Sequence, residues 1–292
     1  MRYMQSGTSI SPTTLQALET AFGISNKPLY LQYFQYLDNL FHGNLGLSFG
    51  FWPTPVVTII EEALPWTLFL VVTATVVSFF LGNRLGVMAA TRRLKKTDVA
   101  LSTVFMFFQG FPAFTLAFIL ILILCLRTGL FPAVLAYSPD FARPTLSLPF
   151  VVSVLYHSAV PLLTIILTSL AGWLFGMRNN FLPTLGSDFT TYYEAMGLKK
   201  SRIEQLAYRV AFLPNLTGFA LALGFSVTGV LAIEYVFSYP GMGFFLYQAV
   251  VNLDYTLLQG IIIVLVVTMI LANAVVEILY GIIDPRIKQE AK

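Results

Sequence analysis

Between Val99 and Leu126 the chain runs 28 residues without one charged side chain. At about 1.5 Å per residue, a helix of that length exceeds the ~30 Å hydrocarbon core of a bilayer. In lipid, every backbone N–H and C=O must be paired within the protein, so a run of this kind folds as a helix. Gln109-Gly110-Phe111-Pro112 should kink it. Four further apolar segments share its character, at about 65–90, 157–177, 215–236 and 257–283. Only 11% of the 292 residues are charged, where a soluble domain is nearer about a quarter. The expected fold class is an all-α polytopic membrane protein with about five transmembrane helices in this chain. Gly82-Asn83-Arg84 should break the first span near its end, and Pro144, Pro149 and Pro161 suggest a re-entrant or interfacial piece over 145–156.

Residues 1–64 read as an extracellular region with surface helices, and 65–292 as the membrane domain. Ser11 suits a helix cap and Pro12 a first helical position. Tyr33, Tyr36, Leu37 and Leu40 share one face of a second helix, before the glycine-punctuated Gly43–Ser48 turn. No signal-peptide pattern is present. The lone Cys125 lies inside an apolar run and cannot form an intrachain disulfide.

Lys and Arg set the orientation. One set of loops holds 13 of the 17 basic residues: Arg84, Arg92, Arg93, Lys95, Lys96, Arg178, Lys199, Lys200, Arg202, Arg209, Arg286, Lys288 and Lys292. That side, with the C-terminus, is expected to be cytoplasmic. Five spans then leave the N-terminal region outside with nothing ahead of it to carry it across. The expectation is that an additional first helix precedes the given start, and N-terminal sequencing of the native protein tests it.

The charged stretch Asp188–Pro214 lies between two apolar runs. Five charged side chains within Lys199–Arg209 forbid it from crossing the bilayer. Tyr192, Ala195, Met196, Leu198, Ile203 and Leu206 recur at helical spacing, with Gly197 as a turn between two short helices. Periodicity alone equally allows an amphipathic connector on the lipid surface. At the other end of the following span, Glu234 precedes Pro240-Gly241-Met242-Gly243, where Pro-Gly signals a type II turn. The turn is either a plain hairpin or an extracellular gate.

Chemistry within this chain is thinly supported. No phosphate loop is present, since the Gly82–Gly86 pair lacks the lysine. No His/Cys cluster has metal-ligand spacing, and no turn motif suggests a nucleophile. An ion-coupled carrier would call for midplane acids, but Glu234 and Glu277 lie toward span ends. Gly224 and Gly229 more readily serve helix packing than a broken helix. His157 reads as structural, and Asn83-Arg84 as a span end from which Arg84 reaches the interface.

Several ordered motifs resemble the permease subunit of a binding-protein-dependent ABC importer, of the dipeptide/oligopeptide/nickel branch. They are Lys27-Pro28-Leu29, Gly43-Asn44-Leu45-Gly46-Leu47-Ser48, Leu64-Pro65-Trp66-Thr67-Leu68, Gly86-Val87-Met88-Ala89-Ala90, Glu234-Tyr235-Val236-Phe237 with Pro240-Gly241-Met242-Gly243, Asp254-Tyr255 and Asp284-Pro285-Arg286-Ile287. The resemblance implies a type I permease fold, with six spans in the branch. It implies an ATPase-coupling loop at 188–214 that carries Asp188, Ala195, Gly197, Leu198, Leu213 and Pro214. Thr191-Tyr192-Tyr193 stand where the general motif has Glu-Ala-Ala. It implies an extracellular gate or turn at Glu234, Pro240, Gly241 and Gly243. Implied partners are a second permease chain, two ATP-binding subunits that hold ATP and Mg, and an external substrate-binding protein, in a prokaryotic plasma membrane. The implied cargo is di- or oligopeptides, with oligosaccharides or nickel chelates as the alternatives within the family. No cofactor is implied for this chain itself.

Overall fold

The computed structural model describes residues 28–283, leaving aside the side chains at 220, 221, 223–228 and 275–283. The helix expected from Ser11-Pro12, Lys27 and the Asp284–Ile287 ending lie outside the described residues, as does the Glu277 side chain. The described secondary structure is helical, with one isolated antiparallel bridge between Leu47 and Pro55. Nine helices are described: α1 (Leu29–Phe41), α2 (Val56–Thr91), α3 (Lys96–Gln109), α4 (Ala113–Leu120, continued by a π-helical turn Ile121–Arg127), α5 (Leu148–Leu185), α6 (Asp188–Ala195), α7 (Lys200–Val236), α8 (Met242–Val251) and α9 (Tyr255–Ile283).

Among the described residues, α2, α5 and the 255–274 part of α9 are long and apolar enough to cross a membrane. The charge-free run from Val99 is not one straight span: Lys96–Gln109 and Ala113–Arg127 meet at 101°. Pro112 cannot donate to a continuing helix and disfavours helical geometry in the residue before it, so the expected kink becomes a sharp corner.

Two sequence expectations are corrected. The 145–156 piece is not a separate re-entrant element, since α5 runs unbroken over 38 residues from Leu148. Pro149 falls in its first turn, where a missing N–H costs nothing. Nor does α2 break at Gly82-Asn83-Arg84; it continues to Thr91. These glycines bring α5 close instead. A Cβ on Gly86 would lie 2.5 Å from the Leu174 carbonyl oxygen, and one on Gly82 would overlap the Trp173 Cβ. Small residues one turn apart are the usual device for close helix contact in lipid.

The described residues form two compact units. The first comprises 28–62 with 246–263. There Asp254 caps α9: its Oδ1 accepts the Leu257 N–H at 3.0 Å. Its Oδ2 accepts the Ser48 hydroxyl at 2.5 Å and the Gly50 N–H at 2.9 Å. One buried carboxylate thus fixes both the start of a helix and the glycine-punctuated loop. On α1, Tyr36, Leu37 and Leu40 are half-buried, while Tyr33 is exposed.

The second unit comprises 63–245 with 264–283, and α5 is its axis. It packs chiefly against α7, then α3 and α4. Phe79 of α2 is buried among Trp173 (5.2 Å between ring centroids), Phe212 (5.4 Å) and Phe219 (4.3 Å). Toward the ends that carry the basic residues, Ala90, Met177, Phe181, Ala207 and Ala211 form a closed core. Alanine on α7 lets that helix lie close against the larger Met177 and Phe181 of α5.

Candidate functional site

The two sequence-marked regions lie at opposite ends of α7. At its first end, α5 stops at Leu185 and Ser187 leads into the eight residues of α6. Thr190 is buried and its hydroxyl donates to the carbonyls of Leu185 (2.9 Å) and Ser187 (2.7 Å). The Ser187 hydroxyl donates to Thr184 O at 2.6 Å. The entry to α6 is therefore tied back to the end of α5.

The exit is equally fixed. Gly197 has φ +77°, its N–H donates to Glu194 O (2.9 Å), and the Leu198 N–H donates to Tyr193 O (3.1 Å). That pair of bonds around a left-handed glycine is the Schellman helix stop. Leu198 and Tyr193, the two side chains that accompany such a stop, are both half-buried. A Cβ on Gly197 would meet nothing within 4 Å, so backbone conformation and not space is what asks for glycine. Between the two fixed ends, α6 turns Asp188, Thr191, Glu194 and Ala195 outward. Tyr192 is 64% exposed and Met196 59%. The result is a rigid, convex turn with an aromatic and a thioether side chain at its crest.

Leu213 and Pro214 do not belong to this turn. The 188–214 stretch is not a pair of short helices, because its second half is already α7, which starts at Lys200 and passes through Pro214 without stopping. Packing of Ala207 and Ala211 into the core carries the helix across the charged segment. Leu213 and Pro214 are exposed, about 20 Å along the helix from Lys200. The next residue, Asn215, is buried. Its Nδ2 donates to Asn83 Oδ1 on α2 (2.9 Å) and to Trp173 O on α5 (3.2 Å). Its Oδ1 accepts from Asn180 Nδ2 (3.3 Å). Gly176 leaves room for this amide, since a Cβ there would lie 2.6 Å from Asn215 Oδ1. Three helices are thus joined at one neutral amide ladder.

A second polar joint lies nearby. Arg178 donates from Nε and Nη2 to the two Asp98 carboxylate oxygens, both at 2.9 Å. The Leu94 N–H also donates to Asp98 Oδ2 at 3.0 Å, which pins the α2–α3 turn. Neither the ladder nor this ion pair is evident from local motifs. The one available signal is that Arg178 directly follows the charge-free 144–177 region and Asp98 directly precedes another, so each needs a partner from afar.

At the far end of α7, Glu234 is completely buried. Its Oε2 accepts the Gly243 N–H at 2.6 Å, and its backbone carbonyl accepts the Tyr239 N–H at 2.7 Å. The Met242 N–H donates to Thr67 Oγ1 on α2 at 2.8 Å. The first N–H groups of a helix have no partner within it. Here a carboxylate from α7 and a hydroxyl from α2 supply partners to α8. The carboxylate also meets the positive end of the helix dipole.

Gly241 and Gly243 are needed for space. A Cβ on Gly241 would overlap the Glu234 carboxylate, and one on Gly243 the Leu231 backbone. The expected type II turn is not formed, because the positive φ falls on Ser238 (+47°) and not on Gly241. The turn is shaped around the buried carboxylate, and α8 follows it directly. Tyr239 is also buried. Its hydroxyl lies 3.0 Å from Ser158 Oγ, and its ring meets Trp66 edge-on, with centroids 5.8 Å apart. Burial pushes the phenol pKa up, so it stays protonated. Pro240 is half-buried against this assembly. His157 makes a 2.8 Å bond to Ser153 O of its own helix.

Among the described residues, long apolar helices carry a projecting turn at one end of α7 and a buried polar joint at the other. Comparison with known proteins identifies the family. Residues 82–289 match the family described as "Binding-protein-dependent transport system inner membrane component". The chain belongs to this family and is the permease subunit of an ABC importer. It is 32% identical to the oligopeptide transport system permease protein OppB of Haemophilus influenzae, over 95% of this chain and 86% of that protein. It is 29% identical to the oligopeptide transport system permease protein AppB of Bacillus subtilis, over 90% and 82%. It is 28% identical to the dipeptide transport system permease protein DppB of Lactococcus lactis, over 97% and 88%.

Proposed function

We propose that the chain forms half of a path for di- or oligopeptides through a prokaryotic plasma membrane, paired with a second, related permease chain. Two separate ATPase subunits bind ATP and Mg, and an external binding protein delivers the cargo. The α6 turn and the C-terminus face the cytosol, as the distribution of Lys and Arg favours. The α6 turn docks on an ATPase subunit. Closure of the ATPase pair carries the turns of the two permeases together, and the helices rock between inward- and outward-facing states. A flexible loop would absorb that displacement, whereas a turn fixed at both ends passes it to α5 and α7.

One observation carries this reading: the exposed Tyr192–Met196 crest on a helix closed by the Gly197 stop. The peptide assignment is supported by the relatives, whose names specify oligopeptide and dipeptide transport. The test is purification from the native host in mild detergent, followed by reconstitution with the co-purifying proteins and labelled peptides. A phosphate-loop ATPase partner and ATP-dependent peptide uptake are the expected result. A chain that purifies alone and transports without ATP would overturn the proposal.

A further inference from the structure

The second unit has an open cavity of about 480 Å³ lined by α2, α4, α5 and α7. That lies within the ~300–1,000 Å³ range of small-molecule sites. No charged side chain is among its described lining residues. Its polar lining includes Ser78 of α2, Thr168 and Ser169 of α5, and Asn215 of α7. Thr75 of α2 is a fourth lining hydroxyl; the donors of Ser78, Thr168 and Ser169 are already used. Ser78 Oγ donates to Thr75 O (3.2 Å), Thr168 Oγ1 to Thr164 O (3.0 Å) and Ser169 Oγ to Ile165 O (2.7 Å). What these hydroxyls retain toward the cavity is acceptor capacity.

Two glycines give a second, independent observation. Gly172 and Gly229 line the same cavity, each inside a long helix, where glycine is among the poorest helix formers. Gly82, Gly86 and Gly176 are accounted for by a neighbour that a Cβ would strike. A Cβ on Gly172 or Gly229 would meet nothing within 4 Å, and neither has a positive φ. Among the described residues, neither packing nor backbone conformation asks for glycine there. Any side chain would project into open space, and that space is the cavity.

We propose that this cavity is the chain's share of the cargo path, that Gly172 and Gly229 keep it open, and that Ser78, Thr168 and Ser169 pass N–H-bearing cargo by accepting its hydrogen bonds. This rests on the importer reading above and assigns its path. Uncharged walls with a few hydroxyl acceptors bind weakly enough to release what they admit. Among the described lining residues they offer neither a cation for an anionic cargo nor a ligand set for a metal chelate.

The experiment uses the reconstituted complex with labelled peptide. Gly172→Ala, Gly172→Leu and Gly229→Leu are compared with Val152→Leu, a change at an exposed position of α5. The glycine variants are expected to assemble with the ATPase at the wild-type level. Uptake should fall stepwise from Ala to Leu at 172, by about tenfold or more for either Leu variant, while Val152→Leu transports normally. Full uptake by both Leu variants would overturn the proposal, and so would a loss of assembly that tracks the loss of uptake. A second readout does not depend on peptide transport. In a Cys125→Ser background, Gly172→Cys should react with a water-soluble maleimide and be protected by peptide. No reaction would mean a dry, closed space and would sink the path. Reaction without peptide protection, in a complex that takes up no peptide, would count against the peptide reading instead and leave the open path standing.

Discussion

The two ends of α7 solve opposite problems. At the Glu234 end the shaping groups are turned inward: a buried carboxylate, a buried tyrosine and two glycines with no room for a Cβ lock α8 onto α7 and α2. At the Lys200 end the polar bonds are spent on shaping a turn whose crest stays exposed, with open space around its glycine. One end is closed around its own side chains, while the other is finished on the inside and left open on the outside. Both carry essential-looking glycines, yet for different reasons: space at 241 and 243, backbone conformation at 197. Damage at the first end should therefore appear as lost stability, and damage at the second as lost partnership.

Gly243→Val should have the largest effect. Its Cβ falls on the Leu231 backbone, which cannot rotate away, so the cost should exceed the ~1–3 kcal/mol of ordinary overpacking. Thermal unfolding in detergent should show a large drop or no folded protein at all, and a normal melting profile would break the comparison at its stronger side. Glu234→Leu should rank next. It leaves the Gly243 N–H unpaired in a buried site, worth about 1–3 kcal/mol. The same melting assay should show the loss, with ATPase capture by the surviving folded protein unchanged.

Gly197→Val should cost about 1–2 kcal/mol, confined to the α6 stop. Its larger signature should be functional, with less peptide taken up per ATP hydrolysed. Wild-type uptake in this variant would count against the docking role. Tyr192→Ala should leave stability within about 0.5 kcal/mol, as exposed substitutions do. Co-purification of the ATPase should nevertheless weaken, and an undiminished yield of the complex would move the contact elsewhere on the turn.

Much of this architecture is legible from residue order. Charge-free runs mark the membrane helices because lipid penalises charge steeply, and Gly197 is readable as a turn because its flanks are helical. What escapes such reading is whatever depends on a neighbour distant in sequence. Asn215 looks like an ordinary residue after Pro214 until Asn83, 132 residues away, is brought beside it. Gly241 looks like a turn glycine until the carboxylate beneath it is placed. The extent of α7 is misjudged from sequence because its charged first turns predict a loop boundary at Pro214. That charge is tolerated by a helix whose opposite face buries Ile203, Ala207 and Ala211.

Asn215 also divides α7 into unequal lengths, about 22 Å back to Lys200 and about 32 Å forward to Val236. It is held by amides to both α2 and α5. If the helices rock as proposed, a tilt about this joint would act as a lever with the longer arm toward Glu234. A push of ~3 Å at the Lys200 end would swing the Glu234 end by ~4 Å in the opposite sense, from lengths set by helical rise alone. A small stroke at the basic end would thus reach the other end both reversed and enlarged.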